Sequence, residues 1–139
     1  MHITMYTSRA RRAFSPGDLS DLGDFASAIN QGVGITGLLV FDGYSFIQAL
    51  EGERSAVATV MDRILKDPRH DNIVFFKHTE TYRRQFDQWS TEYRTVNDLS
   101  DGTAFLKRVM CHVAKVQEDA IKAAFIGFAA LSLRRRLVH

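Results

Sequence analysis

The sequence predicts an α+β fold: a ferredoxin-like β-α-β-β-α-β sheet with an extra strand, two helices on one face, and C-terminal helices on or near the other face. Three observations predict it. Apolar residues at three- and four-residue steps mark two helices, one on either side of a pair of strand-like runs joined by Asp42-Gly43. β-prone segments stand before the first helix and after the second. The right-handed crossover rule then sets both helices on one side of the sheet. A length of 139 residues suits one domain with a real core plus an extension.

Residues 2–7, "HITMYT", open the chain as a strand. Its period of two turns Thr4 and Tyr6 toward the helices and Ile3 and Met5 to the opposite face. "SPGD" at 15–18 is a helix-entry signal, and Leu19, Leu22, Phe25, Ala26 and Ile29 give the helix one apolar face that stops near Asn30 to Gly34. "ITGLLVF" and "YSFIQALEG" form the hairpin across the Asp-Gly turn, with Tyr44, Phe46, Gln48 and Leu50 on one face. Val57, Val60, Met61, Ile64 and Leu65 make the second helix amphipathic, and Pro68 ends it. "NIVFFKHTET" and "QWSTEYRTV" supply two more strands. A polar stretch at 97–102 separates them from a helical tail bearing Phe105, Leu106, Val109, Met110, Val113 and Val116, then Ile121, Ala124, Phe125, Phe128 and Leu131. That tail is more apolar than a solvated helix requires, so it is expected to cover the second face of the sheet or to meet a partner subunit in a homodimer.

Composition removes several function classes. A net charge of +2 gives no ground for direct nucleic-acid binding, and the clusters Arg9, Arg11, Arg12 and Arg134, Arg135, Arg136 read as solvated surface. One cysteine, Cys111, excludes an internal disulfide and reads as a buried thiol. No apolar run reaches the ~18 residues of a membrane span, and the start lacks a signal-peptide pattern, so a cytoplasmic protein is expected. The five histidines show no metal-ligand spacing, and "GVGITG" precedes a strand, the reverse of the dinucleotide-binding context. No spacing singles out a catalytic nucleophile, so a hydrolase is not expected.

Gln48 is the anomaly. A primary amide between large apolar neighbours needs a partner, because leaving it unbonded out of water costs about 1–3 kcal/mol. A backbone group, a water, another side chain or a ligand would serve. Tyr6 and Asn30 are aimed at the same space between sheet and helices. Each also has an ordinary structural reading: a core tyrosine with its hydroxyl at the edge, a helix stop, a cap on a loop carbonyl. Three polar groups converging on an apolar cleft are what a planar heteroaromatic ligand needs.

"NQGVGITGLLVFDGYSFIQALEG", "RILKDPRH" and "FDQW", in this order, resemble the BLUF domain, the blue-light sensor that uses flavin adenine dinucleotide (FAD). The resemblance covers residues 3–93 and implies a ferredoxin-like sheet with flavin between two helices. It implies that Tyr6 is the photoactive tyrosine, that Gln48 bridges it to the flavin, and that Asn30 holds the polar edge of the ring. Arg63, Asp67, Arg69 and His70 match the ribityl and phosphate side, while Leu22, Phe25, Ala26, Ile29 and Ile64 match apolar walls. On this reading residues 1–96 form the flavin-binding domain and 97–139 a helical extension that signals to a downstream protein. In the family no substrate is turned over, so the resemblance implies a sensor and not an enzyme; the other readings are a ferredoxin-like interaction module without flavin and a flavin-dependent redox enzyme. One position departs from the family's pattern: where Trp, any residue, Met is frequent, this chain has Trp89 and Thr91. Trp89 lies near the flavin or packs, as a sheet aromatic, against the tail.

Overall fold

The computed structural model describes residues 1–12, 14–94 and 102–138, with residues 16, 25, 28–31 and 134–138 described by their backbone alone. The elements follow in the order β1 (His2–Ala10), α1 (Pro16–Gly32), β2 (Thr36–Phe41), β3 (Ser45–Gly52), α2 (Arg54–Leu65), β4 (His70–Glu80), β5 (Trp89–Tyr93), α3 (Gly102–Val113) and α4 (Asp119–Val138). They form one sheet of order β4-β1-β3-β2-β5. Its first four strands pair antiparallel and β5 adds parallel to β2, which is the ferredoxin-like order with one strand appended.

Local chemistry explains the boundaries. Ser15 and Asp18 form a reciprocal capping box: the Ser15 hydroxyl accepts from the Asp18 N–H at 3.1 Å, and the Asp18 carboxylate accepts from the Ser15 N–H at 3.0 Å. At the hairpin, Asp42 Oδ1 accepts from the N–H groups of Tyr44 and Ser45, and Gly43 takes φ 102°. Tyr44 is therefore a turn residue, 42% exposed, and not the first member of the buried row of β3. All eight residues of β3 are buried, as its central place requires.

The two faces bury different sets. Tyr6, Leu50, Val57, Val60 and Met61 pack together, and beside them Leu19 of α1 meets Leu39, Phe41, Phe46 and Phe14. On the opposite face Ile3, Met5, Leu38, Val40, Ile47 and Ala49 pack against Phe105, Val109, Val113, Ile121 and Phe125 of α3 and α4. The chain's own tail thus covers the second face. Leu65, Met110 and Leu131, expected on apolar faces, are more than two-fifths exposed. Cys111 is also exposed, on the outer side of α3, and is not a buried thiol. The stretch expected as a linker lies outside the described residues except for Gly102, which opens α3.

Ion pairs fasten the tail to the sheet. Glu92 on β5 accepts from Arg108 Nε at 2.7 Å and pairs with His112 Nε2 at 3.1 Å, both on α3. Burial opposes the Glu92 charge, but the bonds from His112 and Arg108 prevail and hold its carboxyl below the ordinary range. Its folded value lies below its unfolded one, so this stabilisation is present above the ordinary carboxylate range and lost as pH falls through the folded value. Glu92→Gln is expected to lower stability at neutral pH by about 1–3 kcal/mol. Chemical denaturation at neutral and acid pH checks this: the gap from the native chain should shrink below about pH 4, and a constant gap would contradict it.

Candidate functional site

A cleft opens between the sheet and helices α1 and α2, with about 690 Å³ of empty space when its open mouth is included. Tyr6, Gln48, Phe46 and Leu39 form its floor on three adjacent strands, with Tyr6, Gln48 and Leu39 in register. Leu22 and Ala26 line the α1 side, Val60, Arg63 and Ile64 the α2 side, and Asp67, Arg69 and His70 the end. The side chains of Phe25, Ile29 and Asn30 lie outside the described residues.

Gln48 has its partner. The Tyr6 hydroxyl donates to Gln48 Oε1, with both residues at most 4% exposed. The amide nitrogen of Gln48 donates to no described residue, and Gln48 lines the cleft. Burial, with Asp67 nearby, pushes the Tyr6 phenol far above its usual range, so the phenol is a neutral donor in the resting protein.

At the far end the polar groups are mutually engaged. Arg69 binds both oxygens of Asp67 through Nε at 2.9 and 3.0 Å and Oδ2 through Nη2 at 2.5 Å. Burial works against the Asp67 charge, but the Arg69 bonds hold its carboxyl below the ordinary range. His70 Nε2 lies 2.8 Å from the Ile64 carbonyl, which only accepts, so this nitrogen carries the proton. Its Nδ1 lies 2.8 Å from the hydroxyl of Ser8, so the His70 ring bridges β1 to the end of α2. Arg63 is exposed at the mouth, and its guanidinium bonds to no described residue. It is the cation of the site that an anionic ligand group meets unengaged.

Phe14, Leu39, Phe46 and Val60 line the cleft and were not among the expected site residues. Phe46 shares the face of Gln48 and was legible there, whereas Phe14 sits in the loop after β1 with no periodicity to betray it. Trp89 packs on the α1/α2 face and not against the tail. It does not line the cleft, and its indole Nε1 is buried without a hydrogen-bond partner among the described residues. Thr91 packs against Gly23 of α1. Among the described residues no group of three or more His, Cys, Asp or Glu is placed to hold a metal, and no helix is long and apolar enough to cross a membrane.

An apolar cleft whose Gln48 amide nitrogen and Arg63 guanidinium bond to no described residue fits an isoalloxazine ring with an anionic tail. The family model described as sensors of blue light using FAD matches residues 1–92. The chain belongs to the BLUF family. Among curated relatives it is 38% identical over 69 residues to photoactivated adenylate cyclase subunit beta of Euglena longa, a match covering 50% of this chain and 8% of that protein. It is 34% identical over 70 residues to the blue light- and temperature-regulated antirepressor BluF of Escherichia coli, covering 50% of this chain and 17% of that one. The chain thus spans a small part of these relatives. Among solved structures, Klebsiella pneumoniae BlrP1 in a calcium and cyclic-diGMP complex superposes with TM-score 0.71 at 27% identity, over 94% of this chain and 33% of that one. The dark-state BLUF protein BlrB superposes with TM-score 0.63 at 30% identity, over 88% of this chain and 96% of that one. The ferredoxin-like sheet built above is the BLUF fold, and the α1/α2 cleft is where this chain's residues suit the flavin that BLUF domains use.

Proposed function

We propose that this protein is a blue-light photoreceptor that holds FAD non-covalently in the α1/α2 cleft, switches through Tyr6 and Gln48, and signals to a downstream protein through residues 97–139. The observation that carries the reading is the buried Tyr6-to-Gln48 hydrogen bond at the floor of an apolar cleft. Gln48 Nε2 and Asn30 hold the polar ring edge. Leu22, Phe25, Ala26, Ile29 and Ile64 are the apolar walls, and Arg63, with Asp67, Arg69 and His70 at the far end, meets the ribityl and phosphate part.

When bound and excited by blue light, the flavin supplies an electron acceptor. The phenol of Tyr6 holds its proton firmly at rest, and loss of an electron makes that proton strongly acidic. Its bond to Gln48 Oε1 is the path by which the proton leaves, and when the electron returns to Tyr6 the proton returns with it, so that the phenol ends neutral again. An amide both accepts and donates, so turning it over presents Nε2 to Tyr6 and Oε1 to the cleft. That is a different hydrogen-bond pattern built from the same atoms. Leucine at this position has neither function. No substrate is consumed in the cycle, which makes the role a sensor's.

A dark-minus-light absorption spectrum of the flavin-loaded chain tests the reading. A small red shift without bleaching is expected. A flat difference spectrum in flavin-loaded protein overturns it, and a chain that purifies colourless and takes up no flavin points to the flavin-free interaction module.

A further inference from the structure

We propose that a hydrogen-bonded bridge through Glu51 and Gln85 carries the state of Gln48 to the turn joining α3 and α4. The proposal rests on the switch at Gln48 described above. Glu51 lies three residues beyond Gln48 on β3, the strand paired on both sides and buried at every position. About 10 Å of rigid strand separates the two residues. Their side chains emerge on opposite faces, Gln48 into the cleft and Glu51 toward the tail.

Glu51 is fully buried and accepts hydrogen bonds from backbone N–H groups. Its oxygens accept from the Gln85 N–H at 2.7 and 2.9 Å, and Oε1 accepts from the Phe86 N–H at 3.0 Å. Burial pushes its carboxyl up, and the Gln85 and Phe86 donors, with the nearby Arg84 charge, oppose that. Gln85 continues the line: its Oε1 accepts from the N–H groups of Gln117 and Glu118, both at 3.0 Å, where the chain enters α4. Beside it the Phe86 ring packs edge-on against Phe125 of α4, with centroids 6.1 Å apart. A displacement of β3 therefore moves the 85–86 backbone directly, and Gln85 hands it to the amides of residues 117–118, just before α4.

The alternative route along β5 is poorly placed in this chain. Thr91 packs against Gly23 of α1, and Trp89 faces the α1/α2 side, so neither touches the tail. On the tail side of β5, the Glu92 carboxylate bonds to Arg108 and His112 of α3, before the α3–α4 turn.

Hydrogen exchange at residues 117–118, read in the dark and under blue light on the flavin-loaded full chain, tests the bridge when absorption is recorded on the same samples. The native chain should show the red shift together with a light-dependent change in exchange there. In Gln85→Ala the red shift should remain, dark exchange at 117–118 should rise about fivefold, the factor for one ordinary hydrogen bond, and the light-dependent change should vanish. Glu51→Gln should also lose the light-dependent change, and Gln85→Ala decides alone if that variant fails to fold. A native red shift with identical dark and light exchange at 117–118 overturns the bridge and leaves the photoreceptor standing. So does a light response that persists in Gln85→Ala. A flat native difference spectrum removes the photoreceptor and the bridge together.

Discussion

Gln48→Leu is expected to leave flavin in the cleft and to abolish the light-induced red shift. Leucine keeps nearly the volume of the side chain but deletes the oxygen to which Tyr6 donates and the nitrogen that faces the cleft. The stranded phenol costs about 1–3 kcal/mol, small beside the ~5–15 kcal/mol of an ordinary domain, so the fold should survive. The proton path does not. Burial holds the Tyr6 proton in place at rest, and without an acceptor it has no exit when the electron leaves. Tyr6→Phe removes the same bond from the donor side and should behave alike. Extracted flavin reports occupancy and the dark-minus-light spectrum reports function. A normal red shift in flavin-loaded Gln48→Leu would sink the assignment of Gln48, whatever else the cleft binds.

Gly37→Ala is expected to be the most damaging single substitution to the fold. Gly37 lies between β3 and β5 with φ 154°, and a Cβ there would stand 1.9 Å from the Ala49 carbonyl oxygen and 3.3 Å from the Trp89 ring. Backbone cannot step aside as a flexible side chain would. Either the β2–β3 register shifts, which moves Leu39 off Gln48, or the strands part. A loss of about 3–5 kcal/mol is expected, which for a chain of this size lowers Tm by about 10–20 °C. Gly127→Ala on α4 is the control: nothing lies within 4 Å of its added Cβ, and relief of a helical glycine should stabilise by about 0.5–1 kcal/mol. A thermal melt of Gly37→Ala within about 3 °C of the native chain would refute the close-approach argument.

How much of this was legible in the residues depends on the range of the interaction. The capping box of Ser15 and Asp18, the Asp42-Gly43 turn and the alternation that sets Tyr6 and Gln48 on one face all act within a few residues, and the structure follows them closely. The exposure of Tyr44 was not legible, because the alternation of β3 also suits the residue that its turn takes out of the strand. Phe14 enters the site from a loop, and Ser8, at a position that reads as ordinary strand, holds the His70 that lines it. The buried face of the tail was visible as excess apolar residues, but the exposure of Cys111 turned on how α3 docks.

The sequence by itself determined the order of elements, which face each strand residue takes, and the pairing of chemistry at Tyr6 and Gln48, since periodicity and turn chemistry are local properties of the chain. Only the tertiary structure decided that Asp67 and Arg69 engage each other while Arg63 stands unengaged at the mouth, that the chain's own tail covers the second face, and that Glu51 bridges to Gln85 and α4. Glu51 and Gln85 are 34 residues apart and Gln85 and Gln117 are 32 apart, and no periodicity registers contacts at that distance. They exist because a buried carboxylate must find donors, and the folded sheet brings the backbone of residues 85–86 to it.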